Sequence, residues 1–99
     1  MTLPDVLAAP AALALGEKDR GILDFEADWQ QRAGGRHSGG KEEAIRAQLG
    51  LTPPRYYQLL GRLVETQSAL AYDPVLVARL RRLQQSRREQ ARTRLSGDR

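Results

Sequence analysis

The chain of 99 residues contains no cysteine and a single histidine, His37. Without thiols it forms no disulfide framework, holds no thiolate-bound metal and has no cysteine nucleophile. One imidazole also falls short of the ligand set of a typical zinc site. We therefore expect neither a metal nor a cofactor. The lack of cysteine is compatible with the cytoplasm.

Long apolar runs are also missing. The longest, at 6–15, contains Pro10 and is much shorter than the roughly 20 residues that span a bilayer. The first residues have neither the basic start nor the unbroken apolar stretch of a secretory signal. We predict that 1–16 is a flexible tail without a targeting role. A membrane-surface anchor is the alternative, although no basic face accompanies the apolar one.

Positive charge is concentrated in the second half of the chain. Residues 1–40 carry four basic and six acidic side chains, whereas 41–99 carry twelve basic and six acidic ones. Arginine supplies 14 of the 16 basic residues, and seven arginines stand against one acid between Arg79 and Arg94. This uneven distribution is typical of proteins that bind nucleic acid or an anionic membrane.

Apolar periodicity predicts an all-α protein of about four helices. The first helix, 17–32, places Ile22, Phe25 and Trp29 on one face, which we assign to the core. Acids such as Asp24 and Asp28 are interpreted as its solvated face. The segment 33–40, AGGRHSGG, has four glycines and predicts a linker in which the histidine is solvated. Its spacing does not match that of a phosphate-binding loop.

Residues 41–66 predict a helix-turn-helix, two short helices joined by a tight turn. Gly50 suits the left-handed residue that ends the first helix, 41–49. Thr52 and Pro53 are a strong start signal for the second helix, 53–66. The predicted inward positions are Ala44, Ile45, Leu49, Leu51, Tyr56, Leu59, Leu60 and Leu63. Arg46 occupies a position at the helix crossing that is usually alanine, so we expect its side chain to lie to one side and the crossing angle to differ.

In a helix-turn-helix the second helix enters the major groove of DNA. The residues predicted to lie against the duplex are Thr52, Pro53, Pro54, Arg55, Tyr57, Gln58 and Arg62. Gln58 suits adenine, Arg55 suits guanine, and Thr52 with the first free amides suits phosphate. Because the prolines lack an N–H, we expect sparse base readout and a larger share from thymine methyl contact, DNA shape and backbone charge.

Three of these residues have an alternative role. In the alternative, Tyr57 covers the core with its hydroxyl in water, and Arg55 and Arg62 only solvate the helix.

Asp73 and Pro74 predict the start of a long helix after a short connector at 68–72. Its leucines, Leu76, Leu80 and Leu83, pack on the core or, alternatively, form a homodimer. Beyond them we predict a solvated helix or a frayed basic arm at 86–99. The predicted phosphate contacts are Arg81, Arg82, Arg87, Arg88 and Arg92, for which a solvated charged face is the alternative.

Three stretches resemble a small actinobacterial family of unknown function: GILDFEADW at 21–29, KEEAIRAQLGLTPPRYYQLLGRLVE at 41–65 and ALAYDPVLVARLRRLQQSRREQAR at 69–92. RYYQLL together with DPVLVARLRRL is the specific combination. The resemblance implies a compact all-helical protein with a predicted DNA-binding helix-turn-helix and a role in transcription regulation. It implies no catalytic residue and no cofactor. The glycine-rich loop is longer than the family's connection.

We therefore predict a helix-turn-helix domain at 17–85 that binds double-stranded DNA in the cytoplasm, associated with the nucleoid. One alternative is a protein-interaction module whose arginine-rich helix docks an acidic partner such as RNA polymerase or a sigma factor. Another is an RNA-binding protein. No carboxylate pair, nucleophile with a base, or metal cluster predicts an enzyme.

Overall fold

The computed structural model describes residues 15–33 and 40–97. Within these ranges the chain is all-helical, as predicted, and has no strand. The helices are α1 (Glu17–Ala33), α2 (Gly40–Ala44), a π-helical segment that continues it (Ile45–Leu49), α3 (Pro53–Leu63), α4 (Gln67–Tyr72) and α5 (Pro74–Gly97). The predictions for residues 1–14 and for the loop at 34–39, His37 included, lie outside the described residues.

The core contains side chains from α1, the π-helical segment, α3, α4 and α5. Ile22 and Phe25 are buried, and Trp29 is partly buried and stacks on Phe25 with 6.0 Å between ring centroids. These placements confirm the predicted apolar face of α1. Leu15, at the end of the predicted tail, is buried as well, and its carbonyl accepts a hydrogen bond from Arg20 Nη1 at 2.6 Å.

Gly50 makes the turn between the π-helical segment and α3. Its φ of 67° is the left-handed conformation predicted for this position, and its N–H donates to Arg46 O at 3.1 Å. Ile45 is fully buried, whereas Arg46 beside it is exposed. Arg46, at the position usually occupied by alanine, therefore has its side chain in solvent rather than between the helices.

Thr66 ends the connection after α3. The sequence predicts that α3 runs to Thr66, which is wrong, because the helix ends at Leu63 and Val64 is its last capping residue. Thr66 is the N-cap of α4: its hydroxyl accepts from Ala69 N at 3.1 Å and donates to Leu63 O at 2.8 Å. An N-cap residue has a non-helical backbone conformation, so Thr66 cannot also be a residue of α3.

Helix α5 begins on the core and extends beyond it. Asp73 Oδ1 accepts from Leu76 N at 3.2 Å and caps its first turn. Leu76 is buried and Leu80 partly buried, which confirms that these leucines pack on the core, but Leu83 is 46% exposed. Residues 85–95 are all exposed, so the described part of the arm is a solvated helix. None of the described helices is long and apolar enough to cross a membrane.

Candidate nucleic-acid interface

Helix α3 presents one polar face to solvent. Thr52 caps the helix, and its Oγ1 accepts from Arg55 N at 3.3 Å. Pro53 is buried, so it does not belong to the exposed face on which the sequence predicts it. The exposed residues of this face, called the α3 face below, are Thr52, Pro54, Arg55, Gln58 and Arg62. The structure therefore brings together most of the residues predicted to lie against DNA.

Arg55 and Gln58 are bonded to each other on the α3 face. Arg55 Nη1 donates to Gln58 Oε1 at 2.7 Å, and both side chains are exposed. The two residues lie three apart and therefore one turn from each other along the helix. They form a joined polar pair rather than two independent side chains.

Tyr57 lies at the edge of the α3 face, toward α5. It is 37% exposed and packs edge-on against Tyr56, with 5.0 Å between ring centroids. The Lys41 ammonium lies 5.3 Å from its ring. Tyr57 and Arg87 also line a groove of about 180 Å³ between α3 and α5. Tyr57 thus packs on a core residue, as in the alternative in which it covers the core, and contact of its exposed part with a base stays a prediction.

Helix α5 is attached to the end of α3 and to the start of α4 by side chains that donate to backbone carbonyls. Gln84 Nε2 donates to Gly61 O at 3.4 Å, Arg81 Nε donates to Val64 O at 2.6 Å, and Arg81 Nη2 donates to Thr66 O at 3.3 Å. The last carbonyls of a helix lack partners within it, and a cation there also interacts favourably with the helix dipole. Arg81 therefore has a structural role that the sequence does not reveal.

The other predicted phosphate contacts on α5 divide between two sides of the helix. Arg88 Nη2 pairs with Glu65 Oε2 at 2.9 Å, and Arg87 lines the groove beside α3. With 3.6 residues per turn, Arg92 lies about 40° around the helix from Arg88 and roughly 6 Å further along it. Arg82 lies about 160° around the helix from Gln84 and so faces away from α3.

A buried charged network lies on the opposite side of α3 from its exposed face. Glu26 of α1 and Lys41 of α2 are 4% and 5% exposed, and Lys41 Nζ lies 3.0 Å from Glu26 Oε1. The same carboxylate accepts hydrogen bonds from the Tyr56 hydroxyl and, at 2.9 Å, from Gln30 Nε2. Three helical elements, α1, α2 and α3, are therefore joined at one carboxylate.

The network shifts the protonation of its members. Burial favours the neutral form of Glu26, but its hydrogen bonds to Tyr56, Gln30 and Lys41 and the charge of Lys41 outweigh this effect and lower its pKa. Burial, together with the hydrogen bond to Glu26 and that carboxylate's charge, raises the pKa of Tyr56. Glu26 is therefore a carboxylate and Tyr56 a neutral hydrogen-bond donor at neutral pH.

The sequence patterns do not predict this network, although part of its signal is visible in them. Glu26 follows Ile22 by four residues and so shares the apolar face of α1. An acid at such a position needs a buried partner. The partner, Lys41, lies fifteen residues away beyond a glycine-rich loop, and nothing in the sequence pairs the two.

The described residues hold no group of three His, Asp or Glu side chains that could bind a metal. No curated protein and no solved structure shows a significant match to this chain. A family whose description is "protein of unknown function (DUF3263)" matches at residues 14–93. This match covers most of the chain and confirms the resemblance to a small family of unknown function. The chain therefore belongs to the DUF3263 family.

Proposed function

We propose that this protein binds double-stranded DNA through the α3 face and regulates transcription. The observation that carries the proposal is the α3 face itself. It exposes Arg55, Gln58 and Arg62 directly after a left-handed turn, and α3 contains no acidic residue. In the major groove arginine bonds the edge of guanine and glutamine the edge of adenine. The first four residues of α3 offer no free amide to a phosphate, contrary to the sequence prediction, because two are prolines and the other two donate their N–H groups to Thr52.

The packing behind α3 supports this role. Tyr56, Leu60 and Leu63 are buried, and the Tyr56 hydroxyl is bonded to the carboxylate of Glu26. A helix held by its inner face cannot rotate about its axis without breaking that bond. The α3 face is therefore presented in one orientation, which a helix that reads base edges requires.

The arginines of α5 supply the phosphate contacts in this proposal. Arg87, Arg88 and Arg92 lie on or near the side of α5 that adjoins α3, and the distal part of the helix is exposed. If the arm neutralises five or six phosphates, the logarithm of the binding constant falls with the logarithm of salt concentration at a slope of about −5.

Binding of the purified chain to random duplex DNA at moderate salt tests the proposal, with fluorescence anisotropy as the readout. A variant carrying Arg55→Ala, Gln58→Ala and Arg62→Ala should lose at least about tenfold in affinity, since it loses two charges and the base contacts. The control carries Arg32→Ala and Arg79→Ala, which remove the same charge from α1 and from the side of α5 beside α1. The proposal fails if the unaltered chain binds no duplex or if both variants bind equally.

The far end of α5 favours a second candidate, docking to an acidic partner of the transcription machinery. Leu95 is 80% exposed among arginines, which makes this end a basic helix with an apolar side chain available for contact. In this case the α3 variant binds its partner normally, whereas replacing the α5 arginines abolishes binding. Preference for structured RNA over duplex DNA would indicate the RNA-binding alternative instead.

A further inference from the structure

We infer that Arg55 and Gln58 act together as one hydrogen-bond donor unit that selects guanine over adenine; the inference rests on the proposed function. Its basis is the hydrogen bond from Arg55 Nη1 to Gln58 Oε1, at 2.7 Å, between two exposed side chains of the α3 face. Considered one by one, Gln58 suits adenine and Arg55 suits guanine. Joined, they present a different pattern.

The hydrogen bond changes what Gln58 offers to a base. A free glutamine amide presents one acceptor and one donor side by side, which is the pattern that adenine N6–H and N7 require. Here the acceptor, Oε1, is directed at the Arg55 guanidinium. The amino group of adenine, itself a donor, would have to approach Oε1 beside that positive charge. What Gln58 still offers to a base is therefore the two N–H donors of its amide.

The pair as a whole consists of donors. Only one of the five N–H groups of a guanidinium is needed for the bond to Gln58, and the others remain for DNA. Guanine presents two acceptors, N7 and O6, at its major-groove edge, whereas adenine presents one acceptor and one donor. The helix sequence PPRYYQLLGRL contains no carboxylate to accept from the amino group of cytosine. Guanine is thus the base whose edge matches the unit.

Two contacts hold the pair in place. The backbone N–H of Arg55 donates to Thr52 Oγ1 at 3.3 Å, which anchors the first turn. Tyr56 lies between the two residues in sequence, is fully buried and donates its hydroxyl to Glu26. Both exposed side chains consequently leave the helix in a direction set by the core.

Selection of duplexes from a random library by the full chain tests the inference. The unaltered chain should enrich guanine over adenine at the contacted position by about 5- to 150-fold, the range for one bidentate base contact. Gln58→Ala should keep the preference for guanine, because Arg55 remains. Arg55→Ala should replace it by a preference for adenine, because Oε1 of Gln58 is then free. Circular dichroism should show unchanged helicity, since both side chains are exposed.

Three outcomes would overturn the inference: enrichment of adenine by the unaltered chain, enrichment of no base, or an unchanged guanine preference in Arg55→Ala. Retention of duplexes without a guanine preference overturns this inference and leaves the proposed function standing. Retention of no duplex overturns both. Arg32→Ala serves as the control, since it removes a charge from α1 and should leave the selected sequence unchanged.

Discussion

The buried pair of Glu26 and Lys41, together with Tyr56, joins three helical elements at one carboxylate. Both are almost fully buried, and every oxygen of the carboxylate has a partner. A buried ion pair of this kind adds little stability over a well-packed apolar pair, but breaking it leaves an uncompensated charge in the core. The arrangement makes each partner dependent on the other.

We expect Lys41→Met and Glu26→Leu each to lower the free energy of unfolding by about 3–5 kcal/mol. The double variant should lose less than either single variant, because it buries no unpaired charge. Urea denaturation followed by circular dichroism measures all three. Single variants that lose no more than the double variant would show that the pair is not coupled.

The lowered pKa of Glu26 predicts loss of stability in acid. A carboxylate whose folded pKa lies below its ordinary value of 4.5 contributes its full stabilisation above that value and loses it as the pH falls through the folded pKa. Urea midpoints of the unaltered chain and of Glu26→Gln should therefore differ at pH 7 and converge as the pH falls below 4.5 and through the folded pKa of Glu26. A constant difference over this range would contradict the assignment.

Replacing either of two glycines by alanine should have opposite effects on stability. Gly50 has a φ of 67°, where a Cβ costs roughly 1–2 kcal/mol, although no atom lies within 4 Å of the position it would occupy. Gly21 lies inside α1 with equally open space, so Gly21→Ala should stabilise by about 0.5–1 kcal/mol. Thermal unfolding measures both. Equal effects of the two substitutions would contradict the assigned role of the turn.

At the scale of the helices, contacts at the helix ends add to the packing of the shared core. Thr52, Thr66 and Asp73 cap the starts of α3, α4 and α5. Arg81 joins the end of α3 and the start of α4 to α5 through two backbone carbonyls. Together with the packing of Leu76 and Leu80 on the core, Arg81 and Gln84 therefore fix the orientation of α5 relative to the α3 face.

Arg81→Ala should therefore destabilise the fold by about 1–2 kcal/mol, since the Val64 carbonyl at the end of α3 and the Thr66 carbonyl at the start of α4 lose a charged donor. Arg82→Ala removes the same charge from an exposed side chain and should change stability by less than about 0.5 kcal/mol. Thermal melts of both variants provide the comparison. If Arg82→Ala destabilises as much as Arg81→Ala, general charge rather than the carbonyl contacts is responsible.

The described residues combine a small packed body with an exposed basic helix. Seven arginines and one acid lie between Arg79 and Arg94, and residues 85–95 are all exposed. Charge of one sign on an exposed helix adds little to folding but contributes strongly to binding a polyanion. Stability and affinity should therefore respond to different substitutions.

Replacing Arg87, Arg88, Arg92 and Arg94 by glutamine should leave the melting temperature nearly unchanged and weaken DNA binding. If each arginine neutralises one phosphate, the salt slope should become shallower by about 3–4. Arg32→Gln with Arg79→Gln is the control and should change the slope by less than 1, within about one phosphate contact. An unchanged salt slope in the fourfold variant would show that the arm does not contact DNA.

Signals local to the sequence account for most of the fold. The spacing of Ile22 and Phe25 predicts the buried face of α1, Gly50 predicts the left-handed turn, and Thr52 before Pro53 predicts the start of α3. Each depends on interactions within a few residues, so the sequence order itself contains the information. The predicted end of α3 is wrong because Thr66 caps the following helix. Local sequence patterns do not show whether such a residue ends one helix or begins the next.

The sequence by itself determined that this protein is all-helical, that its positive charge lies toward its end, and that polar residues follow the turn. Only the tertiary structure decided which polar and charged side chains have partners, and which partners these are. Glu26 meets Lys41 and Tyr56 across three elements, Arg81 is committed to backbone carbonyls, and Arg88 pairs with Glu65. Such contacts join residues far apart in the chain, and their free energy depends on burial that exists only after folding.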